Sequence, residues 1–152
     1  MQVVFARCAG LDVHKQTVVV TVLLTASNGA VSKQTRTFST MTAELLRLEA
    51  WLTELEVDHL AMESTGVYWS PIYTLLEAGR TVLLVKPQHI QAVPGRKTDV
   101  RDDVRDDVRD SEWLADLLRH GLLSASFIPP KPIRELREVT RSRKQLVYER
   151  TQ

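Results

Sequence analysis

Cross-linking is the first thing this chain does without. Cys8 is the only cysteine, so no intrachain disulfide is possible, which fits a reducing compartment. Long apolar runs are missing too. The longest, Val18 to Leu24, falls far short of the roughly 20 residues that cross a bilayer. The N-terminus also lacks the basic-then-apolar layout of a secretory signal. The expectation is a cytoplasmic protein with no membrane partner. Net charge is nearly absent: at +1 it neither demands nor excludes nucleic acid.

What is present reads as one folded domain. The 152 residues suffice to bury one substantial core, and 43% hydrophobic with 26% charged residues is ordinary for a globular protein. The local charge distribution says more than the total. Residues 99–110 are acidic. Residues 131–150 are basic, with Lys131, Arg134, Arg137, Arg141, Arg143, Lys144 and Arg150 against Glu135, Glu138 and Glu149.

Periodicity divides the chain into elements. Val3–Val13, Thr17–Thr25 and Val31–Phe38 read as three antiparallel strands, the last two joined by the turn signal Ser27-Asn28-Gly29. Thr40 or Thr42 caps a helix whose stripe is Leu45, Leu46, Leu48, Trp51, Leu52 and Leu55. Asp58–Met62 is a short buried strand ending at Glu63. Val67–Ala78 is a helix with Pro71 near its start and Gly79 past its end. Thr81–Val85 is a further buried strand, and Gln88–Val93 a short helix or loop before the Pro94-Gly95 turn. Asp110–His120 is an amphipathic helix stopped by Gly121. After an extended linker through Pro129-Pro130, Ile133–Tyr148 is a final helix. The order β-β-β-α-β-α-β-α-α makes an α/β protein, a mixed five-stranded sheet flanked by helices with a basic C-terminal helix. That is the layout of an RNase H-like fold. It makes the first and fourth strands parallel neighbours, with Asp12 and Glu63 side by side at their carboxyl ends, the edge where open α/β sheets place their sites.

The carboxylates carry the chemistry. An acid at the end of a buried strand is costly unless a positive partner meets it. Asp12 and Glu63 both stand at such ends, and the missing partner suits a divalent cation. Residues 99–110 then read Asp-Val-Arg-Asp three times in succession. Each unit holds two aspartates spaced i, i+3 on one helical face. The functional reading gives one unit a metal-binding pair; the plain reading makes the stretch a solvated helix extension or acidic loop. Asp107 and Asp110 are favoured, because the helix through Trp113 and Leu118 is fixed by core packing and lies one to two turns on. The rival pair is Asp99 and Asp102, anchored by Gly95-Arg96-Lys97-Thr98. Eight inserted residues rotate a continuous helix by roughly 80°, so only one pair points at Asp12.

Gly10-Leu11-Asp12-Val13-His14-Lys15, Glu63-Ser64-Thr65-Gly66-Val67-Tyr68-Trp69, Gly95-Arg96-Lys97-Thr98-Asp99 and Asp110-Ser111-Glu112-Trp113-Leu114-Ala115-Asp116-Leu117-Leu118-Arg119-His120-Gly121 together resemble the N-terminal domain of the DEDD transposases. These are the bacterial insertion-sequence recombinases related to the pilin-gene invertases. Ile133-Arg134-Glu135-Leu136-Arg137 and Arg141-Ser142-Arg143-Lys144 resemble the helix that follows that domain. The resemblance implies a RuvC-like catalytic domain over residues 1–128, and over 129–152 a linker and the start of a basic helix, suited to a coiled coil. It implies a catalytic and metal-binding set of Asp12, Glu63 and one aspartate pair, with Mg²⁺ or Mn²⁺ at the scissile phosphate of DNA. It implies a guiding bridge RNA, a homo-oligomer, and a downstream serine-containing domain that this sequence does not reach. The family pattern has a single Asp-x-x-Asp unit, so the threefold repeat departs from it.

Most other candidates have two readings. Lys15, Arg96 and Lys97 stand beside the acids and suit a nucleic-acid backbone, as do Arg134, Arg137, Arg141, Arg143 and Lys144. His14 and Lys15 read as phosphate contacts or as turn residues. Ser64 and Thr65 read as helix caps or as groups orienting Glu63. Tyr68 and Trp69 read as core or as base-stacking groups. His89 and His120 lack ligand spacing and read as structural. Two competing functions remain: an ATP-binding domain of the sugar-kinase and actin type, which wants a glycine-rich turn where Val13-His14-Lys15 stands, and a non-catalytic nucleic-acid-binding or dimerisation module.

Overall fold

Alternation of apolar side chains along the first strands builds a sheet with two different faces. The computed structural model describes residues 2–64, 66–91 and 103–151. Strands β1 (Arg7–Val13), β2 (Thr17–Thr25), β3 (Val31–Ser39), β4 (His59–Ser64) and β5 (Thr81–Val85) form one sheet in the order β3-β2-β1-β4-β5. β1 and β2 pair antiparallel, as do β2 and β3, while β4 runs parallel to both β1 and β5. On one face Ala9, Leu11 and Val13 join Val18, Val20 and Val22, Leu60 and Met62. Helices α1 (Thr42–Glu54) and α2 (Trp69–Leu76) close that core with Leu48, Trp51, Leu52, Ile72 and Leu76. The opposite face packs Cys8, Ala61 and Val85 against Ile90 of the short helix α3 (Pro87–Gln91) and against Leu114, Ala115, Leu117 and Leu118 of α4 (Asp103–Arg119). This is the mixed, helix-flanked sheet anticipated from element order.

Several boundaries differ from the sequence expectation, each for a local reason. β1 begins at Arg7 rather than Val3, because the amides of Val4 and Phe5 donate to Arg119 O (2.8 and 3.2 Å) and tie the leading residues to the end of α4. The α1 N-cap is Met41, with no side-chain cap. Thr40 Oγ1 instead donates to Lys15 O (2.9 Å), pinning the β1–β2 turn. α2 starts at Trp69, after Gly66 takes a positive φ of 62°, and its N-cap Tyr68 makes no side-chain cap; the Ser64 side chain and Thr65 lie outside what is described. α4 runs unbroken from Asp103, so the second and third repeat units continue the helix rather than bulging from it.

One glycine sets the distance between sheet and helix. A Cβ on Gly10 would stand 2.2 Å from Ser111 O and 2.6 Å from Ala115 N. Only the absent side chain lets α4 lie directly on β1. Hydroxyls fix the register of that contact. Ser111 Oγ is 2.8 Å from Thr21 Oγ1, which is 2.9 Å from Thr35 Oγ1, and Ser111 Oγ also donates to Val108 O (2.8 Å). Ser111 and Thr21 are fully buried, and their mutual hydrogen bonding meets the demand that burial creates.

Helix α5 (Lys131–Arg150) stands apart from both cores, with none of its 20 residues buried. Its start is tied down by Arg134, which bonds Glu77 (2.6 Å) and lies over the Tyr73 ring (4.9 Å to the centroid). Among the described residues no helix is long and apolar enough to cross a membrane.

Candidate metal and nucleic-acid site

The site grows from strand register. Asp12 pairs with Glu63 across the parallel β1–β4 ladder. On adjacent strands, paired residues share a sheet face. Leu11 and Met62 point into the α1–α2 core, so Asp12 and Glu63 lie on the α4 side. Because α4 is seated on Gly10, its N-terminal turns pass over the carboxyl end of β1. Asp107 and Asp110 therefore come to Asp12, and the charges of both act on its carboxyl group.

His14 completes the cluster. Its Nε2 is 3.1 Å from Asp12 Oδ2 and 3.3 Å from Asp107 Oδ1. One ligand atom from each of Asp12, His14 and Asp107 lies within 4.8 Å of the others. Asp12 is buried, whereas the side chains of Asp107 and His14 are about one-third exposed (34% and 38%), so the cluster opens to solvent on one side.

Electrostatics mark the same place. Burial pushes the Asp12 carboxyl up from 3.8 to about 6; His14 opposes that rise, and Asp107 and Asp110 add to it. For His14, burial lowers the pKa, but the carboxylates of Asp12 and Asp107 outweigh it and the net shift is upward. A buried acid surrounded by further acids ionises only at a cost unless a cation compensates. The donor set, carboxylate oxygens with an open side for water, is the kind that hard divalent cations take.

The remaining sequence candidates fall into three groups. Asp99, Asp102, Arg96 and Lys97 lie outside the described residues. Lys15 is exposed in the turn next to His14, and Arg137, Arg141, Arg143 and Lys144 are exposed along α5. Arg134 is engaged with Glu77 and Tyr73 at the root of α5. Trp69 packs against the larger core and Tyr73, while Tyr68 is exposed. His120 bonds Gln2 O (3.2 Å), and His59 stacks on Phe5, both away from the acids. Sequence reasoning missed the Thr21–Ser111 clasp. Its signal was Thr21, the one polar residue inside the apolar run of β2.

Comparison with known proteins bears on the fold and the family. The chain shares its fold with the Holliday junction resolvase of fowlpox virus: TM-score 0.52 at 13% identity, covering 76% of this chain and 99% of the resolvase. The same resolvase with its Holliday junction DNA substrate gives TM-score 0.51 at 14% identity, covering 78% and 99%. Thermus thermophilus RuvC aligns at TM-score 0.49 and 15% identity over 79% of this chain and 99% of its own. No curated protein sequence matches. The family model for transposases of the DEDD, IS110 type matches residues 9–152. The chain belongs to that transposase family.

Proposed function

We propose that this chain is the metal-dependent catalytic domain of a DNA transposase, acting on DNA phosphodiesters during insertion-sequence transposition. The observation that carries the reading is the pairing of Asp12 with Glu63 on β1 and β4, together with the approach of Asp107 and Asp110 from α4 to Asp12. In this reading Asp12, Glu63, Asp107 and Asp110 hold Mg²⁺ or Mn²⁺, and Asp107–Asp110 is the functional repeat unit. Such ions, when bound, stabilise the charge that builds on the attacking and leaving oxygens of a phosphodiester.

The chain's own residues do the rest. Gly10 and the Ser111–Thr21 clasp fix α4 so that its acids stay over Asp12. Burial makes Asp12 a poor bare anion and so a strong seat for a cation. Lys15, exposed beside the cluster, meets the DNA backbone near the acids. Residues 1–128 form the catalytic domain and 129–152 the linker and α5. Arg137, Arg141, Arg143 and Lys144 offer α5 to nucleic acid, including a guide RNA, while Arg134 docks the helix on α2. Leu136, Val139, Leu146 and Val147 are exposed on α5 and suit a second α5 in a homodimer.

A transposition assay with the complete transposase tests this reading. Asp12→Asn and Glu63→Gln abolish transposition while the protein stays folded and still binds DNA. Undiminished transposition in either variant removes these carboxylates from catalysis. Absence of carboxylate-dependent Mg²⁺ or Mn²⁺ binding turns the domain into a nucleic-acid-binding or dimerisation module.

A further inference from the structure

We propose that His14 is itself a metal ligand: its imidazole Nε2 joins the Asp12 and Asp107 carboxylates on one divalent ion, making a mixed oxygen and nitrogen site. This rests on the metal-dependent reading above and adds to it a nitrogen donor and a metal preference. Neighbouring ligands of an octahedral ion with bonds of about 2.1 Å stand about 3 Å apart. His14 Nε2 is 3.1 Å from Asp12 Oδ2 and 3.3 Å from Asp107 Oδ1, the spacing of adjacent corners on one coordination shell.

The position of His14 is built rather than incidental. Its backbone N–H donates to Thr17 O (2.9 Å), closing the tight turn at the end of β1. Thr40 clasps the same turn from outside, its hydroxyl donating to Lys15 O (2.9 Å) and its amide to Gln16 O (3.0 Å). The ring is thus held where Nε2 faces both carboxylates while its side chain remains 38% exposed, leaving room for waters to fill the other coordination positions. As a ligand, the His14 imidazole would bind through a deprotonated Nε2, so a proton held there would be released to solvent.

Chemistry separates this role from a simpler one, in which His14 is only a counter-cation between two acids. A carboxylate-only site suits Mg²⁺ and Mn²⁺, whereas an imidazole raises the preference for later transition ions such as Co²⁺. The test titrates the chain with Mn²⁺ alone and reads nitrogen coupling to the bound ion by pulsed electron paramagnetic resonance. It then compares Co²⁺ and Mg²⁺ affinities of wild type and His14→Gln by calorimetry. The expected result is a nitrogen coupling in wild type that disappears in His14→Gln. The Co²⁺-over-Mg²⁺ affinity ratio should drop on the order of 10- to 100-fold in the variant, the scale set by partners of metal ligands. The coupling measurement needs only the wild-type chain, so it stands whether or not the variant folds. Mn²⁺ binding that Asp12→Asn removes, yet without nitrogen coupling and unchanged in His14→Gln, overturns the His14 assignment and leaves the carboxylate site standing. No Mn²⁺ binding at all overturns both.

Discussion

Replacing Asp12 with Asn should make the metal-free protein more stable at neutral pH, the reverse of what loss of a buried polar contact usually does. The carboxyl group titrates near 6 in the folded chain against an ordinary 3.8. A folded-state pKa above the unfolded value means ionisation disfavours folding. The penalty is absent below pH 4, grows as pH rises between the two values, and is complete above about 6. A difference of about two pH units, at roughly 1.4 kcal/mol each, puts the penalty near 3 kcal/mol. His14 is already included in that balance, since it opposes the rise. The amide's own imperfect hydrogen bonding costs about 1 kcal/mol, which leaves a gain of roughly 2. In a chain of this size that raises Tm by roughly 4–8 °C. Thermal unfolding in EDTA at pH 7.5 and pH 4 measures it. The variant should melt higher at pH 7.5, and at pH 4, where the ionisation penalty is nearly gone and the cost of the amide remains, it should melt slightly lower than the wild type. Added Mn²⁺ should raise the wild type and leave the variant behind. A variant that melts lower than wild type at pH 7.5 in EDTA refutes the claim that Asp12 is held as a strained anion.

Other outcomes follow from the same geometry. Divalent-ion affinity should fall as pH drops through about 6, where Asp12 takes up its proton, and calorimetric titration between pH 5 and 8 reads this. Affinity constant across that range would exclude Asp12 as a ligand. Gly10→Ala should destabilise the fold by about 1–3 kcal/mol, the usual cost of overpacking, because the new methyl meets Ser111 O and Ala115 N of α4; urea unfolding measures it. The same variant should weaken Mn²⁺ binding, since α4 carries Asp107 and Asp110 with it. Arg134→Ala should release the root of α5, seen as faster proteolysis within residues 122–130, with the domain's unfolding midpoint little changed.

The fold was legible because its elements are locally consistent. β-branched runs, the Asn28-Gly29 turn and two parallel apolar strands leave one sheet order that seats Asp12 beside Glu63. What the residues did not reveal depends on contacts far apart in sequence. Val3 to Ala6 look like strand, but Val4 and Phe5 are claimed by Arg119, more than 100 residues on. Thr40 looks like a cap, yet its hydroxyl is spent on the turn at Lys15. His14 read as a phosphate contact or a turn residue; beside its near neighbour Asp12 it gained a second acid only when α4 brought Asp107 across the sheet. The repeat was ambiguous for a related reason. Three identical units are indistinguishable locally; the anchoring of Leu114 and Leu118 in the core brings Asp107 of the last unit to His14, while the first unit lies outside the described residues.

The proposed cation seat is built from acids of two strands and one helix. Anomalous diffraction from a crystal soaked in Mn²⁺ tests it most directly. The predicted result is density bounded by Asp12, Glu63, Asp107 and Asp110. Manganese bound elsewhere, with Asp12 and Glu63 bare, would contradict it.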